Sequence, residues 1–287
     1  MLRDNLLHRS FAAIVTVFAV TAPFPILAET SPTADQALVE AIHGANRTPD
    51  FKLRDKYRHP LETLEFFGIK PDMTVIEVLP GAGWYTEILA PYLKAHGRLI
   101  EATPPTTSSN EYQRKQTLKY LEKLKSDPSD YAKVEMAPFE PPTPAPLGQA
   151  NTADMVVTFL NIHDLVYVNA HHEMTSYFLE SFFKSAFAAL KPGGVLGVVE
   201  HRAPKGSDVV ASLANLRLPQ DYVVSVARAA GFKAVEISEV DANTEDKGTE
   251  PVWYFPPMLK SPPGTQIKYK SVGESDGMTL RFIKSLD

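Results

Sequence analysis

The stretch from residue 75 to residue 89 constrains the fold more than any other part of the chain. It reads VIEVLPGAGWYTEIL, an apolar run with one acid, Glu77, followed by a turn that contains Gly81 and Gly83 and then by a helical pattern. Glycines let a ligand approach the backbone closely, and the turn delivers that ligand to the free amide groups at a helix N-terminus. The sequence therefore predicts a β-strand, a ligand-binding turn and a helix.

This motif resembles the first motif of class I S-adenosylmethionine-dependent methyltransferases, and the wording PGAGWYTEIL is similar to an exported bacterial branch of predicted methyltransferases. In the common form of the motif a glycine stands two residues after the acid, where this chain has Leu79. A dinucleotide-binding fingerprint would have a third glycine at Thr86, which disfavours hydride transfer. The resemblance implies that S-adenosylmethionine contacts Glu77, Pro80, Gly81, Gly83, Trp84, Tyr85 and Thr86.

The second predicted strand, residues 97–104, raises the question of how the ribose of the cofactor would be held. In methyltransferases an acid at the end of this strand usually binds the ribose hydroxyls, and by spacing that position is Thr103. Glu101 lies two residues earlier on the same face of the strand. Either residue is a candidate for cofactor binding, and an ordinary strand residue is the alternative.

Polar residues also follow the fourth and fifth predicted strands, residues 154–160 and 195–202. The resemblance implies that Asn161 contacts the cofactor and that His163 or His201, with Glu200 nearby, acts on the acceptor. An imidazole is half neutral near pH 6.5, so either histidine could take a proton, although a structural histidine is the alternative. A metal site built from His163, Asp164, His171, His172 and His201 is disfavoured, because their spacings match no recognised ligand helix.

Strand and helix patterns alternate along residues 47–287, which predicts one methyltransferase-like α/β domain. The expected fold is Rossmann-like and doubly wound, with a mostly parallel seven-stranded sheet and an antiparallel closing strand at residues 278–283. KPGG at residues 191–194 caps a helix and turns the chain into the fifth strand, as in methyltransferases. Residues 29–46 are expected to form a flexible lead-in with a short peripheral helix.

Two further segments are predicted to lie near the site. The Arg/Tyr/His cluster at residues 54–60 resembles the N-terminal cap that covers the site in the family, and a solvated charged face is the alternative. After the second strand, Ser108 and Glu111 form a capping box for a helix whose buried stripe is expected to consist of Leu118, Leu121 and Leu124.

The first residues have the layout of a secretory leader. Arg3 and Arg9 precede an apolar stretch at residues 11–20, and the small-residue pattern predicts cleavage of a signal peptide after Ala28. Pro23 and Pro25 interrupt the run before it could span a bilayer, so no stable membrane span is expected after cleavage. The protein is therefore expected to be periplasmic or secreted.

The amino-acid composition restricts the classes of molecule that the protein can bind. The chain has a net charge of −5 and no long basic block, which disfavours nucleic acid. It contains no cysteine, so disulfides and thiolate metal sites are excluded. The expected function is methyl transfer from S-adenosylmethionine to an unidentified small-molecule or protein acceptor in the cell envelope. The alternative is a non-catalytic ligand-binding protein with the same fold, which Leu79, Thr103 and the distance from the cytoplasmic cofactor supply favour.

Overall fold

A computed structural model describes residues 35–143 and 145–286, so the predicted signal peptide lies outside the described residues. The α-helices are α1 (Gln36–His43), α2 (Pro49–Lys52), α3 (Asp55–Arg58), α4 (Pro60–Phe67), α5 (Thr86–Leu93), α6 (Glu111–Ser126), α7 (Pro128–Tyr131), α8 (Tyr177–Ala189), α9 (Val209–Leu213), α10 (Gln220–Ala229) and α11 (Gln266–Val272). The strands are β1 (Thr74–Val78), β2 (Arg98–Thr103), β3 (Glu135–Pro138), β4 (Ala153–Phe159), β5 (Tyr167–Val168), β6 (Met174–Thr175), β7 (Leu190–His201), β8 (Ala234–Ser238) and β9 (Gly277–Ile283). Short 3-10 helices cover Ile162–Leu165 and Val252–Tyr254.

Seven strands form one sheet in the order β3-β2-β1-β4-β7-β9-β8. The five strands from β3 to β7 are parallel, whereas β9 lies antiparallel between β7 and β8. This arrangement confirms the predicted mostly parallel sheet with an antiparallel closing strand. The strand order reverses between β1 and β4, and the carboxyl ends of strands at such a reversal are where open α/β sheets bind ligands.

Helices cover both faces of the sheet, which explains why its central strands are almost wholly apolar. Helices α8 and α10 pack on one face, where Phe182 and Phe183 enter a large core cluster. Helices α1, α4 and α5 cover the other face, around Phe67 and Leu89. Within the described ranges, none of the helices combines the length and the apolar character needed to cross a bilayer.

The structure corrects two expectations about helices. Helix α1 is not peripheral, because its Leu38, Ala41 and Ile42 are buried in the same cluster as α4 and α5. Helix α6 begins at Glu111 after Asn110, whose side chain accepts a hydrogen bond from the Gln113 amide, so the predicted capping box is wrong.

The buried stripe of α6 also differs from the predicted one. Leu118 is 46% exposed, whereas Thr117 and Tyr120 are buried. The helix therefore turns Thr117 and Tyr120 inward and leaves Leu118 outside, while Leu124 packs half-buried against the core. Tyr120 reaches the predicted cofactor site as a result.

Candidate functional site

At the reversal of strand order, β1 and β4 are each followed by a leucine in the left-handed backbone conformation. Leu79 follows β1 with a φ of 56°, and Leu160 follows β4 with a φ of 58°. The left-handed region costs a non-glycine residue roughly 1–2 kcal/mol, which explains why glycine is common at the position of Leu79. Such strain concentrates at functional sites. At Leu79 this chain keeps the left-handed backbone conformation without the glycine that is common at this position.

The turn after β1 contains two left-handed glycines in different surroundings. Gly81 has a φ of 59°, is exposed, and has no atom within 4 Å of the place where a Cβ would stand. Gly83 has a φ of 81°, and a Cβ there would lie 3.0 Å from the Tyr120 ring and 3.1 Å from Lys123. Pro80 is buried and accepts a hydrogen bond from the Gly83 amide at 2.9 Å. Gly81 is therefore the open position of the turn, and Gly83 is the one packed against α6.

Beneath the turn lie two buried carboxyl groups. Glu77 and Glu101 are direct neighbours in the register of β1 and β2, and both are buried. Thr86 donates a hydrogen bond to Glu77 at 2.9 Å, and its hydroxyl lies 3.0 Å from the Tyr120 hydroxyl. Glu101 thus faces Glu77 within the protein, and Thr103 is the residue at the end of β2.

The two carboxyl groups hold a proton more tightly than ordinary acids do. Burial, the largest cause, raises the pKa of Glu77 from 4.5 to about 7, against the lowering effect of its hydrogen bonds. Burial and the charge of Glu77 raise the pKa of Glu101 well above 4.5. A raised pKa in the folded state means that the folded protein binds more protons than the unfolded chain between these values. The pair therefore lowers the stability as pH rises from about 4.5 through 7.

We expect the Glu101→Gln variant to flatten this pH dependence. Glutamine retains the shape of the side chain but removes one ionisable group, so less proton binding is linked to folding. Between pH 5 and pH 7.5 the parent should lose about 1–3 kcal/mol of unfolding free energy that the variant keeps. Urea denaturation across this range measures the difference, and parallel curves for the two proteins would contradict it.

Trp84 and Tyr85, just before α5, hold the N-terminal segment (residues 47–58) against the end of the turn. Trp84 donates its indole hydrogen bond to the carbonyl of Phe51 at 3.0 Å and lies between the guanidinium groups of Arg47 and Arg58. Tyr85 stacks on Phe159 of β4 with 3.5 Å between ring centroids. The N-terminal segment therefore packs against Trp84 and leaves Gly81 of the turn exposed.

Arg58 shows that the cluster at residues 54–60 is more than a solvated charged face. Its guanidinium pairs with Glu274 at 3.2 Å, and Arg54 pairs with the same carboxylate. Arg58 and Tyr85 also border a small cavity next to Leu160 and the loop before β9. Arg54 and Arg58 therefore tie this segment to the C-terminal part of the domain.

Sequence reasoning did not identify Glu87, a buried carboxylate of α5. It accepts hydrogen bonds from the amide and hydroxyl of Thr48 at 2.8 and 2.6 Å, and it pairs with Lys123 of α6. Arg47 lies 3.8 Å from the same carboxylate. No local motif signals this group, because its partners come from distant parts of the chain.

Asn161 joins the ends of β1 and β4. Its side-chain amide donates hydrogen bonds to the carbonyls of Leu79 at 3.0 Å and Val78 at 3.3 Å, and its oxygen accepts from Thr158. Both left-handed turns are thereby fixed relative to each other. Asn161 thus stands next to the turn, where the sequence placed it.

Glu200, at the end of β7, holds His163. The Nδ1 of His163 lies 2.9 Å from one carboxylate oxygen, and the His163 amide donates to the other at 3.1 Å. The His201 amide donates to the first oxygen at 2.6 Å. Three N–H groups thus engage Glu200. Because Nδ1 of His163 is directed to this carboxylate, Nε2 is the ring nitrogen of His163 left for a ligand.

The pKa values of His163 and His201 are shifted in opposite directions. Burial alone lowers the pKa of His163, but the charge and hydrogen bond of Glu200 outweigh it, so its pKa is raised above 6.5. Burial, followed by the charges of His163 and Arg217, lowers the pKa of His201 well below 6.5. The ring centroids lie 5.6 Å apart, and Nδ1 of His201 pairs with the Ser275 hydroxyl at 2.7 Å. His163 is therefore the stronger base of the two.

The other histidines named by the sequence do not join this group. His171 and His172 are exposed in the β5–β6 hairpin. Across the part of the chain that the structure describes, no group of three or more potential ligands is placed to hold a metal ion. Most of the predicted residues therefore fall into two places, the β1 turn with its carboxyl pair and the His163–Glu200 pair, with Asn161 between them.

Strand order, the glycine turn and the reversal at β1 and β4 define the fold of class I S-adenosylmethionine-dependent methyltransferases. Comparison with solved structures confirms it. The chain resembles a S-adenosylmethionine-dependent methyltransferase from Aquifex aeolicus with a TM-score of 0.51 and 18% identity, over 82% of this chain and 93% of that one. It resembles the [4+2]-cyclase SpnF with a TM-score of 0.51 and 15% identity, over 87% and 92%.

A third similar structure is phosphoethanolamine N-methyltransferase 2 of Haemonchus contortus in complex with S-adenosylmethionine. The TM-score is 0.50 at 15% identity, over 86% of this chain and 56% of that one. No family model matches the sequence, and no curated protein is significantly similar to it. At these identities the comparisons establish the fold, and the reaction has to be argued from the site.

Proposed function

We propose that the protein transfers the methyl group of S-adenosylmethionine to an acceptor in the cell envelope, and that His163, held by Glu200, takes the acceptor's proton. One observation carries the proposal. In a methyltransferase fold, the open glycine turn at Gly81 and the His163–Glu200 pair lie at the same edge of the sheet, and Asn161 links them. The leader-like pattern of the first residues supports the envelope location.

The residues of the turn fit the cofactor. Gly81 leaves free space where any other residue would place a side chain, so a ligand can approach the backbone there. Glu77 lies beneath the turn, and Glu101 and Thr103 of β2 are the candidates for a ribose hydroxyl, with both side chains buried and Glu101 beside Glu77. When bound, S-adenosylmethionine supplies an activated methyl group, because its sulfonium makes the sulfur a good leaving group.

His163 supplies the proton chemistry. With Nδ1 directed to Glu200, the neutral imidazole presents Nε2 as an acceptor for a proton. Glu200 then stabilises the imidazolium that forms, and the hydrogen bond from the His163 amide to Glu200 fixes the orientation of the pair. The protein otherwise has to align the acceptor with the methyl group.

A binding protein without catalysis is the second candidate. Thr103 favours it, because methyltransferases usually have an acid at that position, and so does the similarity to a cyclase, because one fold hosts different activities. Both candidates predict cofactor binding at the β1 turn. They differ in whether methyl transfer to components of an envelope extract occurs.

Calorimetric titration with S-adenosylmethionine tests the cofactor site, and Gly81→Ala is the variant of choice. The added methyl group enters the open space of the turn, so we expect cofactor affinity to fall by at least about tenfold. Gly206→Ala is the matched control, because Gly206 also has a positive φ and no atom within 4 Å of the added Cβ. Both variants carry the same kind of backbone strain.

The control separates ligand contact from strain. We expect Gly206→Ala to bind the cofactor like the parent while its melting temperature falls by as much as that of Gly81→Ala. Equal affinities for Gly81→Ala and the parent would place the cofactor elsewhere. A parent protein that binds neither S-adenosylmethionine nor its demethylated product would refute the proposal.

A further inference from the structure

An apolar groove lies directly beside His163. It has a volume of about 400 Å³, which is within the usual range for small-molecule sites. The β5–β6 hairpin with its preceding residues forms one side, and α9 with its following residues forms the other. The apolar lining residues are Val166, Val168, Val210, Leu213 and Leu216.

The hairpin leaves part of this lining open to solvent. Val168 is 37% exposed, and Tyr167 and Met174 on the same hairpin are exposed to a similar degree. The ring of Tyr167 stands edge-on to Phe178 of α8, which anchors the hairpin to the domain. A ligand in the groove would cover apolar surface that is otherwise in contact with water.

His163 is the buried polar group of the lining, whereas Asp164 and His172, which also line the groove, are exposed. The Nδ1 of His163 is engaged with Glu200, and its Nε2 lies 3.6 Å from Asp164, too far for a hydrogen bond. A ligand hydroxyl can therefore donate its hydrogen bond to Nε2. Asp164 itself is 69% exposed and remains solvated.

We propose that the methyl acceptor is an apolar small molecule with an acidic hydroxyl group of the phenol type, and that it binds in this groove with the hydroxyl at His163. The inference rests on the proposed function. The acceptor oxygen gives its proton to Nε2 of His163 and forms a bond to the transferred methyl carbon. The electron pair of the broken carbon–sulfur bond stays on the sulfur, which becomes a neutral thioether.

Other acceptor classes fit the groove less well. An ammonium group would need a buried carboxylate partner, but Glu200 is already engaged by three N–H groups and Asp164 is solvated. A carboxylate acceptor would need no base and would lie close to two acidic residues. A phosphorylated acceptor would need a cation, and the described residues that line the groove offer the exposed His172 but no lysine or arginine.

Titration of the protein with 2-naphthol tests the groove without relying on turnover. We expect saturable binding that Leu213→Asp weakens by at least about tenfold, because a carboxylate would enter the apolar lining. Val168→Asp should do the same from the exposed hairpin, where the folded state is not at risk. The matched control is Val224→Asp, a half-buried valine of α10 that lines a different groove.

The hydroxyl contact is tested with the methyl ether of the same probe. His163→Asn should weaken binding of 2-naphthol about fivefold, the effect of one lost hydrogen bond, and leave binding of 2-methoxynaphthalene unchanged. Equal binding of 2-naphthol by the parent, Leu213→Asp and Val168→Asp would overturn the assignment. So would an equal loss in Val224→Asp.

Cofactor titration on the same preparations separates the two proposals. If the parent binds S-adenosylmethionine but 2-naphthol does not bind in the groove, the acceptor class is wrong and the proposed function stands. If 2-naphthol binds but S-adenosylmethionine does not, the proposed function fails, and the assignment of the groove to a methyl acceptor fails with it.

Discussion

Replacement of His163 by asparagine is expected to slow methyl transfer by a factor of about 10² to 10⁴, the usual contribution of a general base. Asparagine is close to imidazole in size and can hydrogen-bond to Glu200, but it cannot take a proton. Cofactor affinity should change little, because the β1 turn is untouched. Transfer of labelled methyl groups from S-adenosylmethionine to an envelope extract measures the rate.

Glu200 and His201 provide the comparison variants. Glu200→Gln should slow transfer, and the double variant with His163→Asn should be no slower than His163→Asn alone, because the two residues act as a unit. His201→Asn should have a smaller effect, since the lowered pKa of His201 makes it the weaker base. If His163→Asn instead lowers melting temperature and cofactor affinity in parallel, His163 is a structural residue. Unchanged turnover in both histidine variants would exclude the catalytic role.

The mostly parallel sheet could be predicted because the determinants of its elements are local. The apolar run before Gly81, the almost wholly apolar β4 and the glycines at residues 193–194 each specify an element within about ten residues. Alternation of strands and helices then restricts the topology, because crossover connections between parallel strands are right-handed and do not cross. The polar ends of β1, β4 and β7 therefore fell at one edge of the sheet, as expected.

The environment of Glu101 could not be predicted from spacing. Its position two residues before Thr103 predicts a ribose contact, which stays a prediction. Spacing could not show which residue of the neighbouring strand stands beside it, because that depends on register. In the structure β1 and β2 pair with Glu77 beside Glu101. A shift of one residue would have moved every side chain of the strand to the other face of the sheet.

The orientation of α6 illustrates a second limit. The pattern of Leu118, Leu121 and Leu124 indicated an apolar face, yet Thr117 and Tyr120 are the buried residues and Leu118 is exposed. The Tyr120 ring packs against Gly83, and its hydroxyl lies within hydrogen-bond distance of Thr86, so a polar partner on another element decides the rotation. Such pairings between distant segments leave no periodic signal in the sequence.

Arg217 is expected to be the most sensitive position for stability outside the site. It is completely buried, and its guanidinium lies 2.8 Å from Asp246, which is also completely buried. It donates further hydrogen bonds to the carbonyls of Glu250 and Arg202. We expect Arg217→Ala to lower the free energy of unfolding by about 3–5 kcal/mol, because the variant leaves a buried carboxylate without its cation. Urea denaturation measures this loss.

Arg98 is the matched control for Arg217, because it also pairs with a carboxylate but does so in water. Arg98 and Glu135 form two hydrogen bonds at 2.7 and 2.9 Å, yet their side chains are 54% and 48% exposed. Arg98→Ala should therefore cost less than about 1 kcal/mol.

The double variant Arg217→Met, Asp246→Leu removes both charges and should recover part of the stability lost in Arg217→Ala, because the main cost is the unpaired charge and not the missing attraction. Equal losses for Arg217→Ala and Arg98→Ala would show that Asp246 remains solvated. A double variant less stable than Arg217→Ala would show that the hydrogen bonds that Asp246 accepts from the amides of Gly248 and Asp276 outweigh the cost of its unpaired charge.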